Sequence, residues 1–337
     1  MNSLIRPQTL HAFDFLGDVL GTQTVEGQQS SNFTEIVIYR NGGETHPVIV
    51  KCLLPVEIAA LEGKQRFSRA QELVNMMGEF HTLLQQHEVV LAEPHKLYVS
   101  ENGWPIYEAT HYGDDYRVRI IRSPANAQTM IREILRCSSG VLHQSHPLTV
   151  GMDLRLSNFA KSPDGPVYVD TFPPLYSPDG GTTYHVHIPI PPTQAEVDAH
   201  IARKFNPCGS LRRLRFDLLS IDPELERLLM SEIRVGLQPD LHRTVVDFFQ
   251  SIDRGGITTD TSIGDVVRAI EQTPPSDVDT LREICARWIP MGPDRIIRMD
   301  QVFYLARNAG PGDPRTPADP AERIAKLIDL LRGIAAD

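Results

Sequence analysis

The feature that most limits how this chain can fold is a switch from strand-forming segments in its first third to helical periodicity in the rest. Residues 34–40 are rich in β-branched and aromatic residues, and Asn41-Gly42-Gly43 separates them from a second extended run over residues 47–53. This arrangement predicts an antiparallel hairpin. Further strands are predicted over residues 17–24, 96–100 and 105–108.

One amphipathic helix interrupts the strand-rich part. Between residues 67 and 86, apolar side chains recur at spacings of three and four, the period of one helix face. Helical patterns then dominate over residues 127–143, 193–205, 223–235, 238–252, 262–272, 277–288 and 319–335. The order predicts a bilobal α+β fold, with residues 1–110 as a small β-rich lobe and residues 111–337 as a larger helical lobe.

Charge and hydropathy exclude several functional classes. With 33 Lys and Arg against 43 Asp and Glu, the 337-residue chain has a net charge of −10, so it lacks the basic field that supports nucleic-acid binding. Its apolar runs are far shorter than the roughly 20 residues that span a bilayer, and no secretory signal is visible. We therefore expect a cytoplasmic protein without a membrane or nucleic-acid partner. The four cysteines form no C-x-x-C pair and are expected to be reduced and mostly buried.

The segment most informative about chemistry runs from residue 151 to residue 172. Asp153 and Asn158 lie five residues apart, and Asp170 follows after a turn over residues 163–166 that predicts a β-hairpin. A hairpin brings its ends together, so Asn158 and Asp170 can share one cation. Two oxygen ligands suit Mg²⁺, which keeps water and substrate phosphates in its other positions. Asp153 then remains available to orient a hydroxyl group and accept its proton.

A lysine further upstream completes the set of charged candidates. Lys51 follows the apolar residues 48–50, and a buried ammonium group needs a partner. Glu72 and Glu79 lie on the following helix, about two turns apart, so either can face the strand.

This order of lysine-tipped strand, helical glutamate, D-x-x-x-x-N and later aspartate is similar to the protein-kinase-like fold. It looks most like the small-molecule branch, the aminoglycoside- and choline-kinase-like phosphotransferases. Leu142-His143 also resembles the Leu-His that precedes the catalytic loop of this family. The resemblance covers roughly residues 17–175.

The resemblance implies roles for individual residues. Lys51 would hold the phosphates of ATP with Glu79 as its ion-pair partner, Asp153 would be the catalytic base, and Asn158 and Asp170 would bind Mg²⁺. The loop over residues 27–32 would take the place of the glycine-rich loop and contact phosphates through Ser30 and Ser31. Residues 106–111 would take the place of the hinge that holds adenine. The implied activity is ATP- and Mg²⁺-dependent phosphoryl transfer to a hydroxyl group of a small molecule.

The chain also departs from the family pattern. Gly151 stands where a histidine usually precedes the catalytic aspartate, residues 27–32 contain one glycine, and no Phe-Gly pair follows Asp170. These departures leave open a kinase-like module that binds a nucleotide or a protein without transfer, and nucleotidyl transfer is a further alternative. A glycosidase using Asp153 and Asp170 as its acid–base pair leaves Lys51 without a role.

Two signals in the helical part concern residues 212–217. The basic cluster at Arg212, Arg213 and Arg215 is interpreted as a solvated helix start, with an anion-binding role as the alternative. Asp217 is a candidate for a buried carboxylate that braces the catalytic loop. The identity of the acceptor and the oligomeric state are not predicted by any motif.

Overall fold

A computed structural model describes residues 24–30, 34–40, 46–144, 149–172, 174–176, 204–253 and 263–274, together with residue 325. The chain divides into two compact units. Unit 1 comprises Met1–Val141 and Leu156–Tyr176, and unit 2 comprises Leu142–Arg155 and Ser177–Asp337. The predicted division at residue 110 stays a prediction.

Unit 1 is built on a five-stranded antiparallel sheet with the strand order β1-β2-β3-β5-β4. Its strands are β1 (Thr24–Ser30), β2 (Thr34–Arg40), β3 (Val48–Leu53), β4 (His95–Val99) and β5 (Pro105–Thr110). β3 lies in the middle, with Lys51 opposite Ile36 on one side and Tyr107 on the other. Its neighbours therefore hold Lys51 in register on both sides.

The core of unit 1 forms where helix α2 (Gly63–Gln86), which follows the short α1 (Pro55–Ala59), packs on β4 and β5. The buried side chains of α2 recur every three or four residues, as the sequence predicts, at Ala70, Leu73, Val74, Met77, Phe80, His81 and Leu84. The helix starts at Gly63, four residues earlier than predicted, and Phe67 is 44% exposed and does not belong to the buried face.

The remaining elements of unit 1 support a second, two-stranded sheet. Helices α3 (Tyr116–Arg122) and α4 (Ala127–Cys137) precede the hairpin of β6 (Phe159–Ser162) and β7 (Gly165–Tyr168). Gly165 has a φ of 138°, which the turn requires and which non-glycine residues rarely adopt. The Tyr168 N–H donates to the carbonyl of Val90 at 2.8 Å, and this bond fixes the hairpin to the rest of the unit.

Unit 2 is described as a group of packed helices. Helix α5 (Ser139–Leu142) ends at Leu142, the first residue of unit 2. The helices that follow are α6 (Pro207–Leu219), α7 (Glu224–Gly236), α8 (Pro239–Asp253) and α9 (Ile263–Gln272). Helices α6, α7 and α8 contact one another through leucine-rich faces. Their buried side chains include Leu211, Leu214, Leu218, Leu225, Leu229, Ile233, Val245 and Phe249.

The α+β class predicted from the sequence is confirmed by this element order. Predicted helices 223–235, 238–252 and 262–272 are found within one residue of their bounds, whereas the helix over 207–219 was not predicted. The predictions over 17–23, 193–203 and 277–288 lie outside the described residues, as does 319–335 except at residue 325. No described helix has the length and apolar character needed to cross a membrane.

Cys52, Cys137 and Cys208 are buried free thiols, which confirms the expectation for these three residues. Burial raises the pKa of Cys137 and of Cys208 to about 11, so both stay protonated at neutral pH. Cys285 lies outside the described ranges.

Candidate active site

Lys51 is 6% exposed, so its ammonium group must be satisfied within the protein. Nζ donates a hydrogen bond to the carbonyl of Val169 at 2.9 Å and lies 3.7 Å from Asp170 Oδ1. It also sits 6.0 Å from the centroid of the Tyr107 ring. The lysine of the central strand is thus directed at the segment that follows β7.

The β6–β7 hairpin brings the two predicted metal ligands to one place. The Val169 N–H donates to the carbonyl of Asn158 at 2.9 Å, so Asn158 lies opposite the residue next to Asp170. Asn158 is buried, and its Oδ1 accepts a hydrogen bond from the Ser157 hydroxyl at 3.3 Å. The Asp170 side chain is 45% exposed, which leaves its carboxylate accessible. Lys51, Asn158 and Asp170 therefore lie near the same end of the hairpin in unit 1, and their role as one site stays a prediction.

The predicted pairing of Lys51 with Glu79 is wrong for this structure. Glu79 Oε2 accepts a hydrogen bond from the Tyr176 hydroxyl at 2.7 Å, and Glu72 pairs with Arg69 at 2.8 Å. Within the described part of the chain, Lys51 has no ion pair with either glutamate. The physical reason is that both glutamates lie on the exposed face of α2.

A residue that sequence reasoning missed links α2 to the segment that contains Asp170. His81 is 3% exposed, its Nε2 and the Thr171 hydroxyl share a hydrogen bond of 2.9 Å, and Thr171 directly follows Asp170. Burial, the neighbouring His95 and the Lys51 charge lower the pKa of His81 to about 3, so its ring is neutral. Its position between Phe80 and Leu84 on the apolar face was the available signal.

Asp153, the predicted catalytic base, lies in unit 2 among three cations. One oxygen, Oδ2, accepts a hydrogen bond from Lys204 Nζ and lies 3.7 Å from Arg155 Nε, while Oδ1 lies 3.9 Å from Arg213 Nε. The side chains of Asp153 and Arg213 are mostly buried, at 14% and 13% exposure. Asp153 is therefore held by ion pairs on both of its oxygens.

Gly151 has a structural explanation. The Met152 N–H donates to the carbonyl of Lys204 at 2.9 Å, and a Cβ at position 151 would lie 2.7 Å from that same carbonyl oxygen. The Ser210 hydroxyl also contacts the carbonyls of Met152 and Lys204, at 3.3 and 3.2 Å. Glycine is required here because two backbone segments touch.

The basic cluster of α6 is not a solvated helix start, contrary to the sequence prediction. Arg212 and Arg215 are 3% and 4% exposed. Arg215 pairs with Glu226 and lies 4.9 Å from the centroid of the Phe249 ring. Asp217 is also buried, at 7% exposure, and its role as a brace for the catalytic loop stays a prediction.

The predicted phosphate loop is described only in part. Residues 27–30 belong to strand β1 and not to a loop, and Ser30 pairs in register with Glu35 of β2. Ser31 lies outside the described residues. Contacts of Ser30 and Ser31 with phosphates stay predictions.

The donor chemistry at Asn158 and Asp170 fits Mg²⁺, because amide and carboxylate oxygens are the hard ligands that this ion prefers. Within the described ranges, no group of three or more His, Cys, Asp or Glu side chains forms a metal site. A metal held at these two residues would accordingly need ligands from water or a bound substrate.

No protein-family model matches the chain, and neither does any curated protein. Among solved structures, the chain is similar to the PknI kinase domain of Mycobacterium tuberculosis and to a double mutant of that domain. The double mutant is 14% identical at a TM-score of 0.34, over 95% of this chain and 98% of that chain. The other structure is 14% identical at a TM-score of 0.32, over 93% and 98%. Because both scores lie below 0.5, this likeness identifies neither the family nor the function.

Proposed function

We propose that this chain transfers the γ-phosphoryl group of ATP, with Mg²⁺, to a hydroxyl group of a small molecule. The observation that carries the proposal is the position of Lys51 Nζ, 2.9 Å from the Val169 carbonyl and 3.7 Å from Asp170, at the hairpin end where Asn158 also lies. Phosphoryl transfer needs a fixed cation and oxygen ligands at one place.

Each residue has a defined task in this proposal. Lys51 binds the phosphates, and Asn158 and Asp170 would hold Mg²⁺, which neutralises charge on the phosphates when it is bound. Asp153 orients the acceptor hydroxyl and accepts its proton. His81 positions the Asp170 segment through Thr171.

A small-molecule acceptor is supported by the residues that follow Asp170. Thr171 and Phe172 replace the Phe-Gly pair of protein kinases, and Thr171 is 1% exposed and bonded to His81. A side chain held in this way is suited to a fixed site rather than to a segment that switches between conformations.

A second candidate is a kinase-like module that binds a nucleotide without transferring its phosphate. Two observations favour it. The Lys51–Glu79 ion pair is absent among the described contacts, and the carboxylate of Asp153 is already paired with Lys204. The two candidates share the site in unit 1 and differ in what Asp153 does.

Calorimetric titration with ATP tests the shared part. We expect binding that requires Mg²⁺ and that weakens about tenfold or more in Asp170→Ala. Asp164→Ala is the matched control, because Asp164 is an exposed aspartate in the turn of the same hairpin. ADP formation with a panel of hydroxyl compounds then separates the candidates. Binding with no product supports the second, and a wild-type chain that does not bind ATP contradicts both.

A further inference from the structure

Three cationic side chains of the described residues surround Asp153. Lys204, Arg155 and Arg213 all direct nitrogen atoms at it, and the first two share the single oxygen Oδ2. The net charge of −10 repels anions from the chain as a whole. A local cluster of cations can therefore attract an anion at this one place.

Arg155 provides the second observation. Its Nε is buried and has no hydrogen-bond partner among the described residues: Asp153 Oδ2 lies 3.7 Å away and is bonded to Lys204. A buried donor without an acceptor costs about 1–3 kcal/mol. The side chain as a whole is 42% exposed, so part of it is accessible to a molecule from solvent.

We propose that Arg155 and Lys204 bind an oxyanion of the acceptor, either a carboxylate or a phosphate, so that the substrate is an anionic hydroxy compound. This inference rests on the proposed function. A planar guanidinium fork fits an oxyanion through two parallel hydrogen bonds, and the lysine adds a point charge. Arg213, 3.9 Å from Asp153, adds to the same positive potential.

Anchoring the oxyanion beside Asp153 places the hydroxyl of the same molecule at the carboxylate. The hydroxyl proton passes to Asp153, the hydroxyl oxygen forms a bond to the γ-phosphorus, and the bond from that phosphorus to the β–γ bridging oxygen breaks as ADP leaves. Lys204 exchanges part of its bond to Asp153 for one to the substrate, which leaves an oxygen of Asp153 available for the hydroxyl.

Inorganic phosphate is the first probe, titrated into the full chain without nucleotide. We expect binding that weakens about tenfold in Lys204→Met and in Arg155→Met, because each variant loses a charged hydrogen bond. Arg227→Met is the control, since Arg227 belongs to unit 2 and its side chain is 79% exposed. Lys51→Met separates this site from the predicted nucleotide site. Phosphate binding lost only in Lys51→Met overturns the proposal.

Matched acceptors form the second test. ADP formation is measured with glycerate against glyceramide, and with glycerol 3-phosphate against glycerol. We expect the anionic member of one pair to react at least tenfold faster, and the pair that shows this identifies a carboxylate or a phosphate. The preference should disappear in Lys204→Met and Arg155→Met and persist in Arg227→Met. Equal or faster reaction of the neutral members, or faster transfer in Lys204→Met, overturns the proposal.

The two tests fail in different ways. If the phosphotransferase function is wrong, no acceptor yields ADP, yet phosphate binding still depends on Arg155 and Lys204. If only the proposal of an anionic acceptor is wrong, ATP turnover occurs with neutral hydroxyl compounds. The Kd for phosphate is then the same in wild type, Lys204→Met and Arg155→Met.

Discussion

The two groups of predicted catalytic residues differ in how their charges are balanced. In unit 1, Lys51 faces the carboxylate of Asp170 and a backbone carbonyl, so cation and anion are matched. In unit 2, Asp153 faces three cations of the described residues, Lys204, Arg155 and Arg213. A site that pairs a lysine with an exposed carboxylate suits a metal with its nucleotide, whereas a site with several cations suits an anion. Four variants test whether the two sites differ in this way.

The largest effect is expected for Asp153→Asn. Losing the proton acceptor should lower kcat about 10³-fold while the Kd for MgATP changes little, because Asp153 does not belong to the unit 1 site. Steady-state kinetics together with ATP titration measure both. The same variant should bind inorganic phosphate more tightly than wild type, since a negative charge beside the anion is gone. Undiminished transfer would rule out Asp153 as the base.

Gly151→Ala should affect unit 2 selectively. The new Cβ would lie 2.7 Å from the Lys204 carbonyl oxygen, and neither backbone segment can yield at low cost. We expect a loss of about 2–3 kcal/mol in the free energy of unfolding and weaker phosphate binding, with Mg²⁺-dependent ATP binding retained. The control is Gly78→Ala in α2, where a Cβ meets nothing within 4 Å and alanine should stabilise the helix. Equal stability of the two variants would contradict the close contact.

His81 should make the stability of unit 1 sensitive to acid. Its pKa is lowered to about 3 in the folded chain, so the unfolded state binds more protons between pH 3 and about pH 6.5. Stability from this group is complete above about pH 6.5 and is lost as the pH falls. Denaturant unfolding at pH 7 and pH 5 should show wild type losing about 2 kcal/mol more than His81→Gln. His242→Gln in unit 2 should behave like wild type, and identical losses in all three proteins would contradict this burial effect.

The smallest effect is expected at Glu79. Because its carboxylate accepts from Tyr176 and not from Lys51, Glu79→Gln and Tyr176→Phe should each cost about 1 kcal/mol or less and should couple in a double-mutant cycle. ATP turnover should change less than about threefold, unlike the large loss expected for Lys51→Met. A loss of ATP turnover in Glu79→Gln as large as that in Lys51→Met would support the predicted ion pair between Lys51 and Glu79.

Local patterns explain which parts of the fold could be predicted. The period of α2 and the turn at Gly165 depend on residues close in sequence, so the helix and the β6–β7 hairpin were predicted nearly in place. Because a hairpin joins its own ends, the proximity of Asn158 and Asp170 followed as well.

The missed features depend on contacts between residues far apart in sequence. Helical spacing shows that Glu79 and His81 lie on different faces, but not which of them meets the residues after β7. The arginines of α6 were predicted to face solvent because their partners come from other segments of the chain. These partners are Glu226, Phe249 and Asp153. No local pattern could have shown that long polar side chains are buried there.

The contact at Gly151 has a consequence for how this chain and its homologues diverge. A homologue with any larger side chain at this position must move the backbone of the segment equivalent to residues 204–206 away, and with it the cation equivalent to Lys204. The two positions should therefore change together during evolution, glycine occurring with the lysine and larger residues without it. Under the role proposed for Lys204, the residue at this position predicts whether the acceptor is anionic.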